Sequence, residues 1–297
     1  IALASLESTE VTFVPDSVDR VQVGPRVPVA AVADRHEVVE RFPDLIQIEL
    51  HGAEGSPRVA HAAVAPLPCQ SDPMEFDLTQ TDALLSTTRA VRKRLDFDRD
   101  VPDEVILECL QLAVQAPTGS NQQGWRWMVV RDAEKKAALA DLYRRAGGDY
   151  LAAAAAAADL TTQGGRVGDS AAYLAENLQD VPVMVIPMII GRLDDFISAE
   201  KGNGTAITNA AAGLLGSIIP AMWSFQLALR SRGLGSCYTT LHLAHEQEAA
   251  DLLGIPAHMT QAGLLPVAYT KGTDFRPASR PPVEKITYLD TYKQPIR

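Results

Sequence analysis

At 297 residues, with 46% hydrophobic and 22% charged side chains, the chain has ordinary globular composition. That excludes wholesale disorder and leaves room for one large core or two modest ones. A formal net charge of −10 offers no surplus of cations to displace counterions from a polyanion, which excludes general nucleic-acid binding while leaving local arginines free to hold one phosphate.

The three cysteines, Cys69, Cys109 and Cys237, lack CxxC spacing and predict a reducing, cytoplasmic compartment, with Cys109 and Cys237 as small core residues. No basic, apolar leader opens the sequence at Ile1, so no signal peptide is expected. Residues 1–73 are rich in Pro and Val, with strand-like runs at Val11–Val14 and Leu45–Leu50 and scattered His36, His51 and His61. They read as an N-terminal extension, either a small accessory β-rich unit or a stretch without fold, joined through Ala65–Pro73 to a single domain over residues 74–297.

From Met74 the patterns sharpen. Thr81–Arg94 reads as a helix with Arg89, Arg92 and Arg94 clustered at its end, either a solvated basic face or an anion clamp. Asp100-Val101-Pro102-Asp103-Glu104 starts a second helix whose buried face is expected at Val105, Cys109, Leu112 and Ala113. That helix delivers the chain to Pro117-Thr118-Gly119-Ser120-Asn121-Gln122-Gln123, a loop far richer in amides and hydroxyls than a connection requires. Amide side chains carry donor and acceptor on one rigid plane, which suits the edge of a heteroaromatic ring such as a flavin. Trp127–Val130 reads as a buried strand, Asp132 as the cap of a helix ended by Gly147-Gly148, and Thr161–Gly168 as a loop able to act as a lid. Asp169–Leu178 reads as helix, and Val181–Ile190 as a central strand buried on both faces.

Thr205–Leu229 carries no charge and is long enough for a bilayer span. Its Thr, Asn, Ser and Gln residues and its central Pro220 point instead to a helix in a protein core or at a subunit interface, bent at the proline. Gly233-Leu234-Gly235 follows a helix rather than a strand, so a dinucleotide fingerprint is ruled out. Lys201–Thr205 has the wrong order for a phosphate loop, and His242-x-x-His245 lacks a third ligand for zinc, so no metal is expected. His245–Leu253 reads as a short helix, Gly263–Tyr269 as a core strand, and Phe275–Glu284 as an extended basic tail. No triad or carboxylate pair stands out, so a cofactor is expected to carry the chemistry.

Four stretches, in this order, resemble the FMN-dependent nitroreductase family: Thr88–Arg92, Ala116–Trp125, Gly233–Thr240 and Arg276–Pro281. Arg-Lys-Arg-Leu-Asp-Phe-Asp at Arg92–Asp98 is similar to the family's actinobacterial-type branch, and the resemblance spans about residues 78–292. It implies an α+β nitroreductase-like fold, with a central, mostly antiparallel sheet flanked by helices, in an intertwined homodimer. In that arrangement residues 205–230 would be the dimer helix and residues 283–292 would extend the partner's sheet. It further implies that Arg89 and Arg92, with backbone at Ala90, hold the FMN phosphate and ribityl chain, and that Arg280 meets the same phosphate. Pro117, Thr118 and Asn121 would line the isoalloxazine ring from the other subunit, and Tyr238, Thr239 and Thr240 would face flavin N5. Two departures from the family pattern are Ala90 in place of a frequent Ser and Gly124 in place of a Pro.

The activity implied is ping-pong hydride transfer from NADH or NADPH through flavin N5 to nitroaromatics, quinones or similar small aromatic acceptors, with no nucleic-acid or membrane partner. The alternative is a flavin-binding or flavin-storage protein on the same scaffold. Reductive dehalogenation and flavin fragmentation share that scaffold, but no lid signature for either is visible.

Overall fold

The computed structural model describes residues 75–195 and 209–296. The readings of residues 1–73, of Lys201–Thr205 and of the first four residues of the uncharged segment fall outside the described residues. A six-stranded sheet organises the rest. It contains β1 (Leu95–Asp96), β2 (Trp125–Val130), β3 (Val183–Ile190), β4 (Leu234–Ser236), β5 (Met259–Gln261) and β6 (Leu265–Thr270). The main path runs β1-β6-β3-β2, with β4 paired to β6 and β5 to β3, and every strand pair is antiparallel. The fold class is therefore the α+β arrangement that the resemblance implies.

β3 shows why the sheet is sandwiched. Alternate side chains of a strand point to opposite faces. Met184, Ile186 and Met188 enter one core, with Leu139, Leu142 and Tyr143 of α3 (Ala133–Ala156) and Leu174 of α4 (Gln163–Asn177). Val183, Val185 and Ile189 enter the other, with Ile106, Cys109 and Leu110 of α2 (Asp103–Ala113) and Ile218, Met222 and Phe225 of α5 (Asn209–Ser231). Each fully buried large apolar side chain contributes roughly 1.5–3 kcal/mol relative to exposure. A continuous apolar run thus marks a strand with no solvated face.

Several helix boundaries differ from the sequence reading, each for a physical reason. α1 (Leu78–Thr87) stops before Arg89, because Ser86, Thr87 and Thr88 turn their hydroxyls back onto the carbonyls of Asp82, Ala83 and Leu84. The three arginines consequently lie in extended and turn backbone rather than on a helix. In α2 the buried face is Ile106, Cys109, Leu110 and Ala113, with Val105 and Leu112 only partly covered. Asp100 does not cap this helix; it pairs with Arg131 at 3.3 Å, alongside Asp103 at 2.6 Å.

α3 begins at the expected cap, Asp132, but continues through Gly147 and Gly148 to Ala156. At Gly147 the helix packs against Leu241, whose Cδ1 would lie 2.8 Å from a Cβ there and would have to turn aside. The expected loop at Thr161–Gly168 is mostly helix: Thr162 caps α4 by accepting from Gly165 N at 3.0 Å. A Cβ on Gly165 would overlap the Asp159 carbonyl, so the glycine serves close approach of the chain rather than mobility. α6 (Glu246–Leu253) ends at Gly254 in the left-handed conformation.

α5 runs through Pro220, which lies inside the helix. By length and hydropathy it passes as a membrane span, yet it packs against α2 and the sheet, and 44% of its most apolar window is buried.

Candidate functional site

Beyond α1 the chain runs beside β4. Val91 N donates to Ser236 O at 2.9 Å, and Ala90 bridges Ser236 in parallel register. Gly235 makes this possible: a Cβ there would lie 2.9 Å from Val91 Cβ and 2.7 Å from Thr270 Cγ2. The segment from Arg89 to Arg94 forms one wall of a cleft of about 350 Å³, completed by Ser170 of α4 and by Asp274, Phe275 and Arg276 after β6.

Charge dominates this cleft. Among the described residues, Arg89, Arg92, Lys93, Arg94 and Arg276 line it, against the single carboxylate of Asp274. Two of the cations are internally neutralised, Lys93 by Asp169 at 2.5 Å and Arg94 by Asp274 at 2.6 Å. The hydrogen bond from Arg94 and the cation's field hold the Asp274 carboxyl below the usual carboxylate range. Arg94 also donates to Lys271 O at 2.9 Å, and its guanidinium lies 4.2 Å from the Phe275 ring. Arg230 lies 4.5 Å from the same ring, so Phe275 is flanked by two guanidinium groups. Arg89 Nη1 donates to Arg276 O at 3.0 Å, and Arg92 Nη1 to Ser170 Oγ at 3.4 Å. These few bonds leave most guanidinium N–H groups for an incoming anion. Behind Arg92 sits Cys237, whose thiol burial pushes up to about 11 despite the adjacent cation. A thiol held neutral in this way is no nucleophile.

The amide-bearing loop is a short 3-10 turn over Gly119–Asn121, with Ser120, Asn121 and Gln123 all at positive φ (51°, 52° and 50°). Non-glycine residues adopt this conformation at some cost, and they persist in it where surrounding contacts determine the backbone. Here Gln123 N donates to Thr118 Oγ1 at 3.1 Å, and Gln123 Nε2 to Asn121 Oδ1 at 3.2 Å. Ser217 of α5 anchors the loop by accepting from Gly119 N at 3.0 Å through its hydroxyl, and from Trp125 Nε1 at 2.8 Å through its carbonyl. Pro117 and Asn121 are exposed and Thr118 is half-buried. At Gly124 a Cβ would meet its nearest neighbour at an ordinary 3.7 Å, so space does not demand glycine there.

Tyr238, Thr239 and Thr240 continue from β4. Thr239 N and Oγ1 both donate to Leu264 O, at 3.1 and 2.8 Å, which commits this hydroxyl to the fold. Tyr238 is 45% exposed while its hydroxyl donates to Ala262 O at 2.8 Å. Thr240 is exposed, and its carbonyl accepts from Leu243 N at 3.0 Å.

The expected site residues therefore fall into two groups. Arg89, Ala90 and Arg92 share the cationic cleft, and Tyr238–Thr240 extend from the strand that borders it. Pro117, Thr118 and Asn121 lie toward the opposite end of the sheet: Ser236 pairs with Val267 opposite Val183, whereas Gly124 O accepts from Ile190 N. Seven residues of β3 separate those levels, roughly 23 Å at ~3.3 Å per residue. Arg280 does not line the cleft. It is exposed and donates to Ser279 O at 3.0 Å, and the tail arginine in the wall is Arg276. Sequence reasoning overlooked Arg276 although the run Arg276-Pro277-Ala278-Ser279-Arg280-Pro281 contains two Arg-Pro pairs, and nothing in the sequence marks Ser170.

His242 is fully buried with neither ring nitrogen hydrogen-bonded, and Gln261, though near, fails to reach bonding geometry. Burial lowers its pKa to about 4. His245 Nδ1 lies 2.9 Å from Glu248 Oε1. No group of three or more His, Cys, Asp or Glu side chains stands in a metal-holding arrangement among the described residues.

The donor set of the cleft, guanidinium forks and a hydroxyl around a cavity wider than one phosphate, fits the phosphate end of a mononucleotide. Among solved structures, the fold is similar to a BluB-like flavoprotein from Clostridium difficile 630, at 18% identity and TM-score 0.52 over 74% of this chain and 100% of the other. It is similar to oxidized iodotyrosine deiodinase bound to FMN and 3-iodo-L-tyrosine, at 20% identity and TM-score 0.50 over 72% and 98%. A nitroreductase-like protein from Streptococcus mutans matches at 18% identity and TM-score 0.50 over 72% and 99%. No curated protein matches the chain. The Nitroreductase family profile matches residues 85–269, from the end of α1 to the end of β6, and the chain belongs to that family.

Proposed function

We propose that this chain is an FMN-dependent oxidoreductase that takes reducing equivalents from NADH or NADPH and passes them to a nitroaromatic, quinone or similar small aromatic acceptor. The observation that carries the reading is the cationic cleft at residues 89–94, which belongs to a family fold shared with an FMN-bound enzyme. Arg89 and Arg92 would hold the phosphate, and Arg276 closes the cleft from the tail. Bound FMN supplies the two-electron chemistry. The protein's part is to anchor one end of the cofactor and to present Tyr238–Thr240 and the Pro117–Asn121 amides to its ring.

In one chain the amide loop is too far from the arginines to share a mononucleotide with them, which supports a homodimer in which each site draws on both copies. Surface apolarity supports the same arrangement. No residue of α1 is buried, α5 exposes Ile219 and Trp223, and the C-terminal stretch exposes Val283, Ile286 and Tyr292. Such surfaces call for a cover.

The test is anaerobic mixing of the FMN-loaded protein with NADH or NADPH while the visible flavin band is followed. Rapid bleaching with either nucleotide, and reoxidation by a quinone or nitroaromatic, is the expected result. FMN retained through dialysis without bleaching by either nucleotide supports the flavin-storage reading instead. Light scattering after size exclusion checks the dimer, which Trp223→Glu should dissociate.

A further inference from the structure

The cleft has a second wall, on the helix whose first turns the sequence reading treats as a loop. α4 begins at Gln163, and two turns later Asp169 and Ser170 face the arginine segment. Asp169 draws Lys93 to 2.5 Å, pinning the helix against the 89–94 segment, and Gln163 Oε1 accepts from Ser279 N at 3.1 Å, tying the helix start to the tail. Ser170, half-buried, is the only one of the described residues lining the cleft that carries a hydroxyl. Its Oγ accepts from Arg92 Nη1 at 3.4 Å and donates to Val167 O at 3.0 Å in its own helix. Arg92 thus occupies a lone pair, while the proton faces a carbonyl already able to bond within the helix. The hydroxyl proton turns easily about the Cβ–Oγ bond, so an anion beside Arg92 can take that proton at little cost.

We propose that Ser170 is an anion ligand: its hydroxyl donates to a terminal oxygen of the phosphate monoester that Arg89 and Arg92 hold, making α4 part of the binding site. Ala90, at the same cleft, has no hydroxyl to offer, so the contribution comes from across the cavity. This deepens the reading of the cleft as an FMN phosphate site and rests on it. Hydrogen bonds to charged acceptors are stronger than neutral ones, and for a half-buried group a loss of about tenfold in affinity is expected on removal.

The experiment uses the full chain stripped of flavin and titrated with FMN, riboflavin and inorganic phosphate. Ser170→Ala should weaken FMN about tenfold, leave riboflavin unchanged and preserve the thermal transition. It should still weaken FMN in an Arg92→Ala background. Equal FMN affinity for parent and Ser170→Ala overturns the assignment, as does a loss shared equally by riboflavin. A cost that vanishes once Arg92 is removed also overturns it, because Ser170 would then act only by holding Arg92. If the parent binds phosphate but not FMN, the cofactor reading fails while Ser170 is judged on the phosphate titration alone; if the parent binds neither, both fail.

Discussion

Gly263 lies at the junction of β5 and β6, where a side chain has nowhere to go. A Cβ at this position would overlap Tyr238 Cε2 and lie 2.9 Å from Cδ2 and 3.1 Å from Thr239 O. Comfortable carbon contacts are about 3.5–4.0 Å, so Gly263→Ala must push the Tyr238 ring aside by about an ångström. That breaks the 2.8 Å bond from Tyr238 to Ala262 O, worth about 1 kcal/mol, and adds overpacking strain of about 1–3 kcal/mol. A total near 3 kcal/mol corresponds to a fall of roughly 6–12 °C in the melting temperature of a domain this size. Circular dichroism melts of parent, Gly263→Ala, Tyr238→Ala and the double variant form a cycle that isolates the clash. In the Tyr238→Ala background the glycine substitution should cost at least about 1 kcal/mol less, leaving only the Thr239 carbonyl in the way. A Gly263→Ala melt within about 2 °C of the parent, or the same loss with and without the tyrosine ring, would refute the packing argument.

Arg276→Ala should weaken FMN retention by about ten- to a hundredfold, as expected for a charge-assisted contact, and by more than Arg280→Ala; the reverse order in equilibrium dialysis would show that the tail rearranges around the cofactor. For His242 the folded pKa of about 4 lies below the ordinary 6.5, so between those values the unfolded chain binds a proton that the folded chain refuses. Stability should accordingly fall as pH drops from 6.5 toward 4, by up to about 3 kcal/mol, and His242→Leu should flatten that dependence in melts at pH 7 and 4.5; parallel curves would count against it. Gly148→Ala, whose Cβ would meet Arg144 Cβ at an ordinary 3.6 Å inside α3, should stabilise by about 0.5–1 kcal/mol, read as a rise of a few degrees in melting temperature.

Sequence reading works best here where local rules and burial agree. The alternation hidden in Val183–Ile190 and the Asp132 cap obey short-range physics and appear where the pattern puts them. It fails where glycine is ambiguous. Gly147, Gly165 and Gly168 read as breakers, yet all three lie inside helices, and at Gly165 a Cβ would run into the Asp159 backbone, which no local pattern reveals. It also fails where hydroxyls end a helix, as at Ser86–Thr88, because the competition between side chain and backbone is invisible in propensity alone. The spacing of Arg89, Arg92 and Arg94 leaves a solvated basic face and an anion clamp equally open, and only the family resemblance singles out Arg89 and Arg92, whereas Ser170 meets Arg92 through tertiary packing across 78 positions of sequence.

One serine near the middle of α5 holds the amide loop through both its hydroxyl and its backbone carbonyl. Ser217 fastens the Gly119 turn on one side and the Trp125 indole on the other, four residues along the helix from the Gly213 carbonyl to which its own proton goes. In the proposed homodimer, a copy settling on Trp223 would therefore shift the amide loop together with that helix. Assembly and the shape of the loop would then be a single mechanical variable.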